Sequence, residues 1–145
     1  MNSSHKIILT FIGMLVILLL YLSSCQSNIS IQTAQYAVNG KKLYVSHCQN
    51  CHGTKGEGLA QLYPPLTDHE FFEQNRAKLS CIVRYGMKES ILVHGKTYKN
   101  QMPANPKLTE LDIAYILTYI TTNFGKGDSI YHHEEVKQAL KRCDI

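Results

Sequence analysis

Cys48-Gln49-Asn50-Cys51-His52 is the stretch from which the other residues of this 145-residue chain are read. Two thiols at this spacing lie about one helical turn apart, so each can close a thioether with one of two neighbouring vinyl groups on the same edge of a haem. The adjacent His52 then points its imidazole at the iron, where histidine is the usual proximal ligand. Two other chemistries use paired cysteines. Thioredoxin-like exchange wants a βαβ context, which the surrounding pattern lacks. Zinc wants a second ligand pair at matched spacing, and there is no other C-x-x-C and no H-x-x-x-H.

An electron carrier usually closes both axial positions of its iron, commonly with His and Met, which directs attention to the methionines downstream. Met1 and Met14 fall in an N-terminal apolar segment, leaving Met87 and Met102. Met102 precedes Pro103 and sits between Asn100-Gln101 and Ala104-Asn105-Pro106, a stretch too poor in apolar periodicity for a helix or strand. It is the expected sixth ligand. Met87, directly after Gly86 at an expected helix end, stays open as an alternative. So do an open site and a second histidine from His47, His69, His94, His132 or His133.

Lys and Arg outnumber Asp and Glu by 15 to 11. Setting aside residues 1–24, which hold Lys6 and no acid, leaves 14 against 11, and two haem propionates would cancel most of that surplus. No block of like charge marks a nucleic-acid arm, and the length leaves no room for a second, catalytic domain. The N-terminal run from Ile7 to Leu22 follows His5 and Lys6 in the layout of a signal peptide. Its roughly 16 residues fall short of the ~20 that span a bilayer comfortably, and an uncleaved transmembrane anchor is the alternative.

Leu22-Ser23-Ser24-Cys25 resembles the lipobox of bacterial lipoproteins. That resemblance implies cleavage before Cys25, acylation of its sulfur and a membrane-anchored protein of the bacterial cell envelope, facing the periplasm or the exterior. Gln26 in place of Asp favours the outer membrane in a cell that has one. The expected organisation is a signal peptide over 1–24, a polar tether of roughly 15 Å over 25–33, a main domain over 34–127 and a helical extension over 128–145.

Apolar spacing predicts a helix over 34–46, with Ala37, Gly40, Leu43, Tyr44 and His47 on one side. Thr67-Asp68-His69-Glu70 reads as a capping box opening a short helix through Phe71 and Phe72, and Arg76 to Tyr85 as a separate amphipathic helix ended by Gly86. Thr109-Glu110-Leu111-Asp112 reads as a second box, stapled by Leu108 and Ile113, and Glu134 to Arg142 as a last helix with acid first and base last.

From about Tyr36 to Gly125 the chain resembles the class I cytochrome c family, and the small bacterial cytochrome c domains found with terminal oxidases and nitrite reductases. The residues that carry the resemblance are Cys48 to His52 with Gly53, Pro64-Pro65-Leu66, Ile91 to Tyr98, Met102-Pro103 and Leu108 to Tyr119 with Asn123-Phe124-Gly125. It implies an all-α fold of about four to five helices around one covalent haem c, with a small β-hairpin. It also implies that a proline carbonyl, from Pro64 or else Pro65, fixes the His52 imidazole. The first and last helices would cross at Gly40 and pack Tyr44 against Tyr115 or Tyr119. His94-Gly95 stands where the branch has Asn-Gly, which leaves the turn type open.

The expected function is electron carriage between redox proteins, with no small-molecule substrate and no catalysis. A haem-based gas sensor and a tethered electron-entry subunit of an oxidase or reductase are the alternatives. Lys88, Lys96, Lys99 and Lys107 against Glu89 offer a face that could steer an acidic partner. Cys81 and Cys143 remain after the other cysteines are assigned, and an oxidising compartment permits a disulfide between them.

Overall fold

The computed structural model describes residues 3–23 and 30–143. Cys25 and Gln26 lie outside the described residues. Helix α1 (Ser3–Ser23) carries the apolar run, and its side chains from residue 4 to 19 are all exposed. Among the described residues no helix is long and apolar enough to cross a membrane.

Helix α2 (Ile31–His47) begins three residues before the expected start, because Ser30 caps it: the Ser30 hydroxyl accepts the Thr33 N–H at 3.1 Å. Residues 31–33 therefore belong to the helix and not to the tether. Helix α5 (Glu110–Asn123) opens with the expected box: Thr109 Oγ1 accepts the Asp112 N–H at 3.1 Å and Asp112 Oδ2 accepts the Thr109 N–H at 2.8 Å. Leu108 and Ile113 are both buried beside it. α5 is the central helix, buried from Ile116 through Thr121.

α2 crosses α5 at Gly40, where an added Cβ would strike the Tyr115 carbonyl oxygen and the Tyr119 Cβ. Around that crossing Tyr36 packs edge-on to Tyr115 with centroids 4.7 Å apart, and Tyr44 lies 5.3 Å from Tyr119. Tyr44 is fully buried, yet its hydroxyl donates to the Gly53 carbonyl at 2.6 Å, so no polar group is stranded. His47, expected on the same side as Tyr44, is exposed.

Helix α4 (His69–Tyr85) is one continuous helix where the apolar pattern suggested two. No Gly or Pro interrupts Glu73-Gln74-Asn75-Arg76, and Asn75 Nδ2 donates to the Phe71 carbonyl at 2.8 Å, so the polar stretch is an outer face and not a break. Its cap is Asp68, one residue later than expected, and the partner of the cap is not Glu70. Asp68 Oδ1 accepts the Phe71 N–H at 3.0 Å while Oδ2 accepts the His94 N–H at 2.9 Å. One carboxylate thus ties the start of α4 to the hairpin of β1 (Ile91–Val93) and β2 (Lys96–Tyr98). The hairpin turns with His94 at φ 49° and Gly95 at φ 72°, the pattern of a type I′ turn. The His94 N–H bond to Asp68 offsets what a non-glycine residue loses in that conformation.

The His94 and Phe71 N–H groups hold the Asp68 carboxyl below the usual range. A depressed folded value contributes stability above the unfolded pKa, and that contribution is lost as pH falls through the folded one. Asp68→Ala is expected to lose about 1 kcal/mol at neutral pH in denaturant melts, as N-cap removal does. The stability gap between wild type and Asp68→Asn should close below about pH 4; a gap that persists in acid contradicts the assignment.

Helix α6 (His133–Leu140), one residue earlier in start and two shorter at its end than expected, lies against α4 and α5. Cys81 and Cys143 form a disulfide that joins this extension to α4. Arg76 adds a second fastening. Its guanidinium donates to both Glu135 carboxylate oxygens at 2.8 and 2.9 Å and to the Ile130 carbonyl at 2.9 Å, and it lies over the Tyr131 ring at 3.9 Å.

Candidate functional site

α2 stops at Cys48, where φ −123° breaks the helical run, and the chain starts the one-turn helix α3 (Gln49–His52). Cys51 and His52 both donate their N–H groups to the Cys48 carbonyl, at 3.1 and 3.0 Å. Gly53 closes the turn at φ 81°. This local fold sets Cys48, Cys51 and His52 on the wall of one cavity, about 1010 Å³ counted to its open mouth.

His52 Nδ1 lies 3.0 Å from the Pro64 carbonyl oxygen. A carbonyl can only accept, so Nδ1 carries the proton and Nε2 keeps its lone pair. It is the Pro64 carbonyl, not that of Pro65, that makes this bond. Burial pushes His52 below its ordinary pKa and the Pro64 bond opposes the shift in part, so the ring is neutral at pH 7, the form a metal requires. Neither Cys48 nor Cys51 is in a disulfide, and burial pushes the Cys48 thiol up to about 11.

Another part of the wall is built by the loop after β2. Met102 and Met87 exchange two backbone hydrogen bonds, at 2.9 and 3.0 Å, and both residues line the cavity. Gly86, at φ 75°, brings the end of α4 against this loop so closely that a Cβ would meet the Met102 carbonyl oxygen. Asn105 secures the loop, donating its N–H to the Arg84 carbonyl at 3.0 Å and its side-chain amide to the Val83 carbonyl at 3.2 Å. Ile116, Leu117 and Ile120 of α5 close the apolar interior.

The structure therefore gathers Cys48, Cys51, His52, Pro64 and Met102 at one cavity, and brings Met87 there as well. His47, His69, His94, His132 and His133 are not among its lining residues, and Cys81 and Cys143 lie at the α4–α6 fastening. An apolar cavity that presents two cysteine sulfurs outside any disulfide and one neutral imidazole fits a flat, mostly apolar ring held covalently along one edge. A model of the cytochrome c family matches residues 37–124, the segment that holds the motif, the cavity and α5.

The chain belongs to the cytochrome c family. Two relatives agree: a cytochrome c-552 of Thermus thermophilus is 33% identical over 109 residues, covering 69% of this chain and 82% of that protein. A second cytochrome c-552, from a particular strain of the same species, is 33% identical over the same length, covering 73% of that protein. This cytochrome is a haem electron carrier with covalently bound haem c, and its helices and small hairpin form the class I arrangement. Ile91 and Val93 of β1 and Tyr98 of β2 line its cavity, and the uniformly apolar Ile91-Leu92-Val93 carried no alternation that would mark which side chains turn inward. Asn100, Gln101 and Tyr63 line it too and carried no signal.

Proposed function

We propose that this cytochrome is a membrane-tethered, mono-haem electron carrier of the bacterial envelope. Cys48 and Cys51 would hold the haem, His52 and Met102 would ligate its iron, and Cys25 would carry the lipid. The observation that supports this reading is the convergence of two thiols, a neutral imidazole and a thioether on one apolar cavity. Bound there, haem c supplies one-electron exchange between ferrous and ferric iron. The Pro64 carbonyl fixes the His52 ring and raises its basicity. Met102 offers a soft thioether that favours the ferrous state and so raises the potential. The apolar wall from α4 and α5 excludes water, which lowers the local dielectric around the ring.

Lys88, Lys96 and Lys99 are exposed and interleave with cavity-lining residues of the segment from Met87 to Pro103, and Lys107, also exposed, follows that segment. They steer an acidic redox partner toward that side of the molecule. Mild detergent extraction followed by identification of what co-purifies separates a free shuttle from a fixed subunit.

The tether is tested by fractionation and mass spectrometry. Wild type should remain with membranes through an alkaline wash and yield an N-terminal peptide beginning at acylated Cys25. Cys25→Ala should lack the lipid and either appear in the soluble fraction or retain residues 1–24. A wild-type protein that washes free contradicts the tether, and an unmodified Cys25 contradicts the lipid.

A further inference from the structure

The face of α2 turned away from α5 is solvent-exposed and carries three apolar side chains, with Gln35 and Lys42 beside them. Ile31, Val38 and Val45 recur along it every seventh residue and are 81%, 60% and 46% exposed. Successive sevenths drift by about 20° on an ideal helix, so the three side chains form one stripe, opposite the Gly40 and Tyr44 positions that meet α5. Two of them are valines. In water a β-branched side chain lowers helix propensity relative to Lys, Gln or Ala and gains nothing by packing, so these residues are poor choices for a helix face meant only to be solvated.

The charge around the stripe has one sign. Lys41 and Lys42 flank it, both exposed, and the first acidic residue in the chain is Glu57. Long lysine stems can lie along an apolar surface while their ammonium groups reach phosphate, which is how cationic apolar faces sit at a bilayer interface. The position of the stripe supplies the partner. From Cys25 to Ile31 is a stretch of six residues, at most about 20 Å when extended. A short link of this kind holds α2 at a millimolar effective concentration over the lipid, so a surface too weak to bind alone becomes engaged.

We propose that the outer face of α2 lies on the membrane surface, with Ile31, Val38 and Val45 in the headgroup region and Lys41 and Lys42 on anionic phospholipid. The inference rests on the membrane tether proposed above. It fixes an orientation. No residue of α2 lines the haem cavity, whose lining begins at Cys48, and Lys88, Lys96, Lys99 and Lys107 lie outside α2. A domain lying on α2 therefore covers none of these residues with α2 itself.

The test uses the full-length, haem-loaded, lipidated protein in vesicles of phosphatidylcholine with phosphatidylglycerol. A nitroxide is attached through Val38→Cys or, as a control, through Thr97→Cys on β2. With Cys48 and Cys51 in thioethers, Cys25 acylated and Cys81 bonded to Cys143, the added thiol is the free one. At position 38, collisions with a water-soluble nickel chelate should fall about fivefold and collisions with oxygen should rise. Position 97 should show neither change. Lys41→Gln with Lys42→Gln, or vesicles of phosphatidylcholine alone, should restore access at position 38, each lysine contributing about fivefold to surface affinity. A protein that leaves the vesicles contradicts the tether. A protein that stays bound with position 38 as open as position 97 overturns the orientation alone. Dipolar broadening between position-38 labels on separate chains would assign the face to a second copy and also overturn it.

Discussion

Met102→Ala is expected to abolish the charge-transfer band that Met–Fe(III) ligation gives in the red and to let the reduced protein bind carbon monoxide rapidly. Met87→Ala should change neither. The comparison matters because the two residues are directly opposed in a hydrogen-bonded antiparallel pair, and opposed residues in such a pair project to the same face. Proximity to the cavity alone does not separate them. Their surroundings do. Met87 directly follows Gly86, the residue that ends α4. Met102 sits in a segment without regular structure, locked by Gly86, Pro103 and Asn105, with no apolar repeat to serve. Because Met102 is only half-buried, its truncation should cost about 1–2 kcal/mol, below the full Met→Ala range, and the variant should keep its fold and its haem. A band that survives in Met102→Ala and vanishes in Met87→Ala would transfer the ligand role to Met87.

Gly40→Ala is expected to lower stability by about 2 kcal/mol, although two effects of opposite sign compete. In an isolated helix the substitution is favourable by about 1 kcal/mol, since Ala is the better helix former. Here the new methyl would enter the space of the Tyr115 carbonyl oxygen and the Tyr119 Cβ. Neither is the far end of a flexible side chain, so α2 and α5 must move apart. That movement loosens Tyr44 against Tyr119 and Phe124 and weakens the hold on α3. Overpacking therefore outweighs propensity. Denaturant melts of the haem-loaded variant measure the difference, and a variant as stable as wild type would mean that the crossing is looser than described.

The features legible in the sequence are those fixed by local chemistry. The Cys48 to His52 spacing, the Thr109–Asp112 box and Gly86 as a helix stop each act within a few residues, and each has its stated geometry in the structure. The misread features depend on distant residues. Asp68 looked like part of a box with Glu70, but its second oxygen is taken by His94, 26 residues away. Arg76 looked like the start of a new helix because Glu73 to Asn75 interrupt the apolar pattern. Its purpose is visible only once Glu135, 59 residues on, lies beside it. Met87 reaches the cavity through pairing with Met102, which no periodicity announces. The Cys81–Cys143 pairing could be permitted by counting but not located, since it depends on where α6 docks.

The central proposal is that His52 and Met102 would both ligate the haem iron of this carrier. The most direct test is to record the red absorption of the oxidised wild-type protein and then mix the reduced protein with carbon monoxide. The account predicts the Met–Fe(III) charge-transfer band and no rapid carbon monoxide binding. Absence of the band together with rapid binding would contradict it, and would mark the chain as a ligand-binding haem protein.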